Sequence, residues 1–110
     1  MDEQLTPKDI FSKMADYFDP GPAKGMNAEF EYDLSGKNGG VWHVVIKDQK
    51  CTVAEGKAKS PVTTFVMSDE TFVRISMGQT NPMIAFSLGK LKILGDPMKA
   101  ASLMKLFKRV

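Results

Sequence analysis

The chain has 110 residues, of which 43% are hydrophobic, and its formal net charge is +2. This length predicts one domain over residues 1–110 with a core of its own, rather than two independent domains. A charge so close to neutral argues against a dedicated nucleic-acid binder, and a single cysteine, Cys51, excludes an internal disulfide.

Export and membrane spanning are not predicted either. No stretch approaches the roughly 18 uncharged apolar residues that a membrane span needs. The N-terminus is acidic at Asp2 and Glu3, where a signal peptide would be basic. The free thiol of Cys51 is easiest to keep in a reducing compartment. We therefore expect a cytoplasmic protein.

Charge is distributed unevenly along the chain. Residues 1–55 hold 6 Lys and Arg against 10 Asp and Glu, whereas residues 56–110 hold 9 against 3. Such asymmetry is typical of ordinary scatter on a solvated surface, but it also fits a basic surface that meets an anionic partner. We expect no nucleic-acid partner and keep transient contact with an anionic membrane surface as an alternative.

The first predicted element is a helix that begins after Thr6. The Thr6 hydroxyl can cap the first turn, Pro7 suits the first helical position, and Asp9 faces the positive helix end. Asp19–Pro22 ends the helix, because proline cannot continue it. Between these signals, apolar residues recur on one helical face: Ile10, Phe11, Met14, Ala15 and Phe18.

Four strands follow. In the first, Ala28–Leu34, apolar residues alternate with Glu29, Glu31 and Asp33, which predicts one face toward the core and an acidic face toward water. A glycine-rich turn separates this strand from the second, so the two form a hairpin. The further strands are Val41–Ile46, Cys51–Ala54 and Val62–Met67.

The second half of the chain is mostly helical. Ser68 caps a helix that Gly78 ends, and Asn81–Pro82 starts a second, short helix. Lys90–Leu94 alternates as a fifth strand, and a last helix begins at Pro97. We predict an α+β fold, in which a mostly antiparallel five-stranded sheet carries helices on one face.

Residues with catalytic or metal-binding chemistry are sparse. The single histidine, His43, and the single cysteine support neither a hydrolase triad nor a zinc site. The three carboxylates of the first strand are interpreted as a solvated face rather than an acid and base pair. Gly36, Gly39 and Gly40 lie in a hairpin turn, which argues against a phosphate-binding loop. We predict a non-enzymatic protein with no metal and no cofactor.

The remaining feature is a group of apolar residues, several of them methionines, on the short helices of the last 40 residues. Simple core packing explains such stripes in any α+β domain. Methionine-lined helices bounded by glycine also suit a site for variable apolar ligands. The candidate ligand-binding residues are Phe72, Ile75, Met77, Met83, Ile84, Phe86, Met98, Leu103, Met104 and Phe107.

Several motifs in this part of the chain resemble a known family. Asn81–Pro82, Ala85–Phe86, Gly89–Ile93 and Gly95–Asp96 are similar to the signature of the sterol carrier protein 2 family, the SCP-2 sterol-binding domain. The tryptophan-containing strand and the helix start at Ser68 follow the order of the family as well. The resemblance therefore covers nearly the whole chain.

The resemblance implies a sheet of order 3-2-1-4-5, with strands one and four parallel, under helices that enclose a hydrophobic tunnel. Family members bind sterols, fatty acids, fatty acyl-CoA and phospholipids, and their final helix acts as a movable lid. Its basic residues would meet an anionic headgroup or a CoA phosphate. Two positions depart from the family: Lys108–Val110 gives no peroxisomal signal, and Met83 replaces a frequent polar glutamine, which implies a less polar tunnel.

On this basis we expect a monomer that binds a small hydrophobic ligand in an apolar tunnel and transfers it without catalysis. The alternative is an accessory module that presents an apolar intermediate to a partner enzyme complex. A thioesterase is disfavoured, because the sequence contains no recognisable pair of nucleophile and base.

Overall fold

The structure is a computed structural model, and it describes residues 5–104, 106 and 107, with the backbone alone of Met104. Five strands form one sheet of order β3-β2-β1-β4-β5. β1 and β4 are parallel, and the other neighbouring pairs are antiparallel. These findings confirm the predicted α+β class and the implied strand order. The strands are β1 (Ala28–Ser35), β2 (Gly40–Lys47), β3 (Lys50–Glu55), β4 (Thr63–Ser68) and β5 (Leu91–Gly95).

The described helices lie where the start and stop signals predict them. A 3-10 turn, Ala15–Tyr17, extends the first one. Helix α2 contacts strand β4, and helix α4 contacts strands β4 and β5. Helix α1 contacts α2. The helices are α1 (Pro7–Met14), α2 (Asp69–Ser76), α3 (Pro82–Ser87) and α4 (Pro97–Met104).

Side-chain caps hold the helix starts. The Thr6 hydroxyl accepts a hydrogen bond from the backbone N–H of Asp9 at 3.3 Å, and the Asp9 carboxylate accepts one from the backbone N–H of Thr6 at 2.9 Å. Ser68 caps α2 by accepting from the Thr71 N–H at 3.1 Å. The Asn81 side chain accepts from the Met83 N–H at 2.7 Å and begins α3. Each cap satisfies amide groups that have no partner inside the helix.

The core lies between the helices and the inner face of the sheet. Phe30 of β1 and Val44 and Ile46 of β2 are fully buried on that face. The Phe11 ring of α1 stacks on the rings of Trp42 and Phe72, with centroid distances of 4.8 and 4.7 Å. This aromatic cluster joins α1 to both the sheet and α2.

The acidic face of β1 is covered, which corrects the expectation that it meets water. Glu31 is only 8% exposed, and its carboxylate accepts a hydrogen bond from the Ala58 N–H at 3.0 Å. Glu29 accepts one from the Lys59 N–H at 3.2 Å. The connection between β3 and β4 folds over this face because its backbone amides need acceptors, and the alternating pattern of β1 carries no information about that loop.

Candidate functional site

An apolar cavity of about 540 Å³ lies between the helices and the inner face of the sheet. Helix α1 and the following 3-10 turn form one wall, and α2 with the residues after it forms a second. The sheet contributes the floor, and the end of α4 contributes Leu103 to the wall. The lining residues are Leu5, Asp9, Ile10, Lys13, Met14, Tyr17, Tyr32, Phe65, Met67, Phe72, Ile75, Ser76, Met77, Pro82, Leu91, Leu103 and Phe107.

The C-terminal segment after α4 is fixed against the segment after α1. The backbone N–H of Asp19 donates to the carbonyl of Leu106 at 2.6 Å. The rings of Phe18 and Phe107 lie 5.9 Å apart between centroids. Phe107 lines the cavity, so this junction forms part of the cavity wall. Movement of α4 as a lid stays a prediction.

The deep part of the cavity is almost entirely apolar. Phe65, Phe72, Leu91 and Leu103 are each at most 3% exposed and all line it. Tyr32 brings a phenol among these side chains and is 8% exposed. Burial raises the pKa of Tyr32 above its usual range, and the nearby Cys51 thiol raises it further. The phenol therefore stays neutral, so the deep part holds no charge.

The mouth of the cavity is amphipathic. Leu5, Tyr17 and Met77 line it while remaining 44%, 41% and 52% exposed. Asp9 and Lys13, one helical turn apart on α1, add charges of opposite sign. The pKa of Asp9 is lowered because its carboxylate accepts hydrogen bonds from the backbone and hydroxyl of Thr6. Lys13 also attracts this carboxylate, and its ammonium is the cationic group of the described cavity lining.

The structure brings together half of the sequence-predicted ligand-binding residues. Phe72, Ile75, Met77, Leu103 and Phe107 line the cavity. The Met104 side chain lies outside the described residues. The other four lie on the surface and not in the cavity lining: Met83, Ile84, Phe86 and Met98, which are 66%, 57%, 48% and 78% exposed. A contact with ligand stays a prediction for all ten.

Sequence reasoning missed the contribution of α1 and of the sheet. Ile10 and Met14 line the cavity from α1, and Phe65 and Met67 line it from β4. The available signal was the apolar stripe of α1, which predicts only a helix with one apolar face. A stripe that packs against side chains and one that faces a cavity have the same periodicity, so the pattern alone cannot distinguish them.

Cysteine and histidine side chains are absent from the described part of the cavity wall. Cys51 lies half-buried on β3, and burial raises the pKa of its thiol to about 11, which keeps it protonated. The His43 ring nitrogen Nδ1 lies 2.9 Å from the carbonyl of Gly56, a structural role. Within the described residues, no three His, Cys, Asp or Glu side chains come together as metal ligands. None of the described helices has the length and hydropathy of a membrane-spanning segment.

Comparisons with known proteins agree with this geometry. The model of the SCP-2 sterol transfer family matches residues 13–108. Hydroxysteroid dehydrogenase-like protein 2 from Homo sapiens is 30% identical over 97% of this chain, but the chain covers only 28% of that protein. The chain thus spans about a quarter of the length of the curated relatives that it matches.

Solved structures show the same fold. Sterol carrier protein 2 from Yarrowia lipolytica in its apo form has a TM-score of 0.74 and 25% identity, over 89% of this chain and 86% of that one. Sterol carrier protein domain 2 of Helicoverpa armigera has a TM-score of 0.71 and 27% identity, over 96% and 91%. With the family match over nearly its full length, the chain belongs to the SCP-2 sterol transfer family.

Proposed function

We propose that this chain binds one lipid in the 540 Å³ cavity and carries it without chemical change. The observation that carries the proposal is the depth of apolar lining behind an amphipathic mouth. The volume falls in the range of roughly 300–1,000 Å³ typical of small-molecule sites. Membership of a sterol transfer family supports the same conclusion.

Burial of hydrocarbon supplies the affinity. Each buried CH₂ contributes about 0.8 kcal/mol, so a 16-carbon chain gains on the order of 10 kcal/mol before the cost of ordering. Micromolar binding corresponds to about 8 kcal/mol, so it requires most of this gain to remain after the cost of ordering. The ligand is therefore mostly hydrocarbon, and its polar group rests at the mouth beside Lys13 and Ser76. Fatty acids, fatty acyl-CoA, phospholipids and sterols share this division into an apolar body and a polar end.

The carrier is proposed to act as a monomer in the cytoplasm and to exchange its ligand during brief contact with anionic membranes. The free thiol of Cys51 supports a reducing compartment. The excess of basic residues in the second half of the chain supports the membrane contact.

A second candidate function is supported by the length of the relatives. The chain spans about a quarter of the length of relatives named hydroxysteroid dehydrogenase-like protein 2, so a similar domain occurs there within a longer protein. In this role the chain would be an accessory module, and its cavity would hold an apolar intermediate for an enzyme. This role needs ligand binding but no membrane transfer, so an assay of lipid transfer between vesicles separates the two. Transfer by the purified chain favours the carrier role.

Displacement of a fluorescent fatty acid tests the cavity directly. Cis-parinaric acid is titrated into the protein, and palmitate, cholesterol and hexadecanol then compete for the site. Met77→Glu places a charge at the mouth, where a bound ligand would cover it, and we expect it to weaken binding about 10-fold, since a charge that loses its water is costly. Leu94→Glu is the matched control, because Leu94 is 54% exposed and not in the lining.

The outcomes separate clearly. Micromolar binding by the wild type, weakened in Met77→Glu and unchanged in Leu94→Glu, supports the proposal. If the folded wild type, judged by circular dichroism, binds none of the four probes at micromolar concentration, the cavity is not a lipid site. Equal loss in both variants would mean that the apolar surface, and not the cavity, binds the probe.

A further inference from the structure

Helix α3 exposes apolar side chains where a solvent-facing helix normally carries polar ones. Ala85 is fully buried and anchors the helix, while Ser87 is an exposed polar residue. The other exposed side chains between residues 83 and 88 are Met83, Ile84, Phe86 and Leu88, at 66%, 57%, 48% and 65% exposure. A contiguous apolar patch on a protein surface marks an interaction site more often than chance.

Cations flank this apolar helix. Arg74 of α2 and Lys90 line one surface groove together with Ile84 and Leu88. Over residues 74–99 the chain has four cations, with Lys92 and Lys99 the other two, against the single carboxylate of Asp96. Glu70 also lines the groove, so the described charged side chains there are two cations and one carboxylate, and the groove keeps a net positive charge.

The same segment forms part of the cavity wall. Met77 and Pro82, at the two ends of the connection between α2 and α3, line the cavity. The exposed patch follows directly in the chain, because Pro82 is the first residue of α3. A partner that covers the patch would therefore adjoin the cavity wall at Pro82.

We propose that this α3 surface, defined by Arg74, Ile84, Leu88 and Lys90, docks on a bilayer that contains anionic phospholipids. Apolar side chains enter the boundary between headgroups and acyl chains, and the flanking cations contact the lipid phosphates. The charge complementarity favours this partner over a second copy of the chain, whose own α3 surface has the same positive sign. Docking there presents the cavity mouth to the membrane, which extends the proposed carrier function.

Removal of the Arg74 and Lys90 charges tests the electrostatic part of the docking proposal. Vesicles of phosphatidylcholine, with and without phosphatidylglycerol, are floated with the whole chain. Arg74→Gln together with Lys90→Gln is expected to weaken binding to the anionic vesicles about 30-fold, which corresponds to about 1 kcal/mol for each cation near an anionic surface. The matched control is Lys47→Gln with Lys50→Gln, at the opposite edge of the sheet.

Replacement of the exposed Leu88 tests the apolar part of the docking proposal. Leu88→Ser is expected to weaken vesicle binding about 10-fold, the value of one leucine side chain moved out of water. Leu94→Ser removes a leucine of similar exposure on β5 that is not part of the groove and should bind like the wild type. Cis-parinaric acid should bind equally to all these variants, since none of the substituted residues lines the cavity.

Several results would overturn the docking proposal. One is equal loss of vesicle binding in the test and control pairs, and another is wild-type binding that does not depend on phosphatidylglycerol. A wild-type dimer in light scattering that Leu88→Ser converts to a monomer would assign the surface to a second copy. Vesicle binding that persists in a protein unable to bind parinaric acid would refute the carrier function alone.

Discussion

Asp33 is a partly buried carboxyl group that lies beside a second carboxyl group. It lies on the outer face of β1 beside Glu31, and among the described residues its Oδ1 atom is buried without a hydrogen-bond partner. The pKa of Asp33 is raised, first by burial and then by the hydrogen bond to Glu31 and the Glu31 charge, although Lys57 opposes the shift. A raised pKa in the folded state means that protonated Asp33 stabilises the fold in acid and that this contribution is lost as the pH rises through the folded pKa.

We therefore predict that Asp33→Asn stabilises the protein near neutral pH. An amide keeps a hydrogen-bond donor toward Glu31 and removes the like charge, a gain of about 1 kcal/mol in the free energy of unfolding. The gain should shrink as the pH falls toward 4, because the raised pKa of Asp33 lets the wild-type carboxyl take up its proton at a higher pH than usual. Urea denaturation at both pH values measures it, with the exposed Asp16→Asn as control. A gain that is independent of pH would contradict the raised pKa.

Helix α2 contributes side chains to the cavity wall, and its start depends on a local capping residue. Its Phe72 and Ile75 line the cavity, and its first turn depends on the Ser68 cap. Ser68→Ala should lower the free energy of unfolding by about 1 kcal/mol, the usual value of such a cap. Urea denaturation tests this, with Ser60→Ala in an exposed loop as control. A loss no larger than that of the control would mean that tertiary contacts alone hold the start of α2.

The helix starts could be predicted from a few adjacent residues, whereas the direction in which an apolar helix face points could not. The caps at Thr6, Ser68 and Asn81 depend on a few adjacent residues, so sequence alone predicts these helix starts. The apolar residues of α3 were placed in the tunnel because an inward and an outward apolar face have the same composition. Only the burial of Ala85 shows which side is anchored. The cover over Glu31 was missed for a similar reason, since a loop 27 residues away supplies it.

At the scale of the whole molecule, the cavity has an apolar deep end and a charged mouth. Its deep wall contains one polar group, the neutral Tyr32, while Lys13 stands at the mouth. A ligand with an ionised head is thus expected to enter tail first, because burying an unpaired carboxylate against Phe65 and Leu103 would cost far more than the ion pair at the mouth returns. A ligand with a hydroxyl head gains no ion pair in the same orientation.

This orientation predicts a difference between two ligands of the same chain length. Lys13→Gln should weaken the binding of palmitate up to about 5-fold, the range of an exposed ion pair, and leave hexadecanol unchanged. Lys8→Gln, on the same helix but outside the cavity lining, is the control for net charge. Competition against cis-parinaric acid measures both. If Tyr32→Phe weakens palmitate binding while Lys13→Gln does not, the head lies at the deep end, and the cavity loads its ligand in the reverse direction.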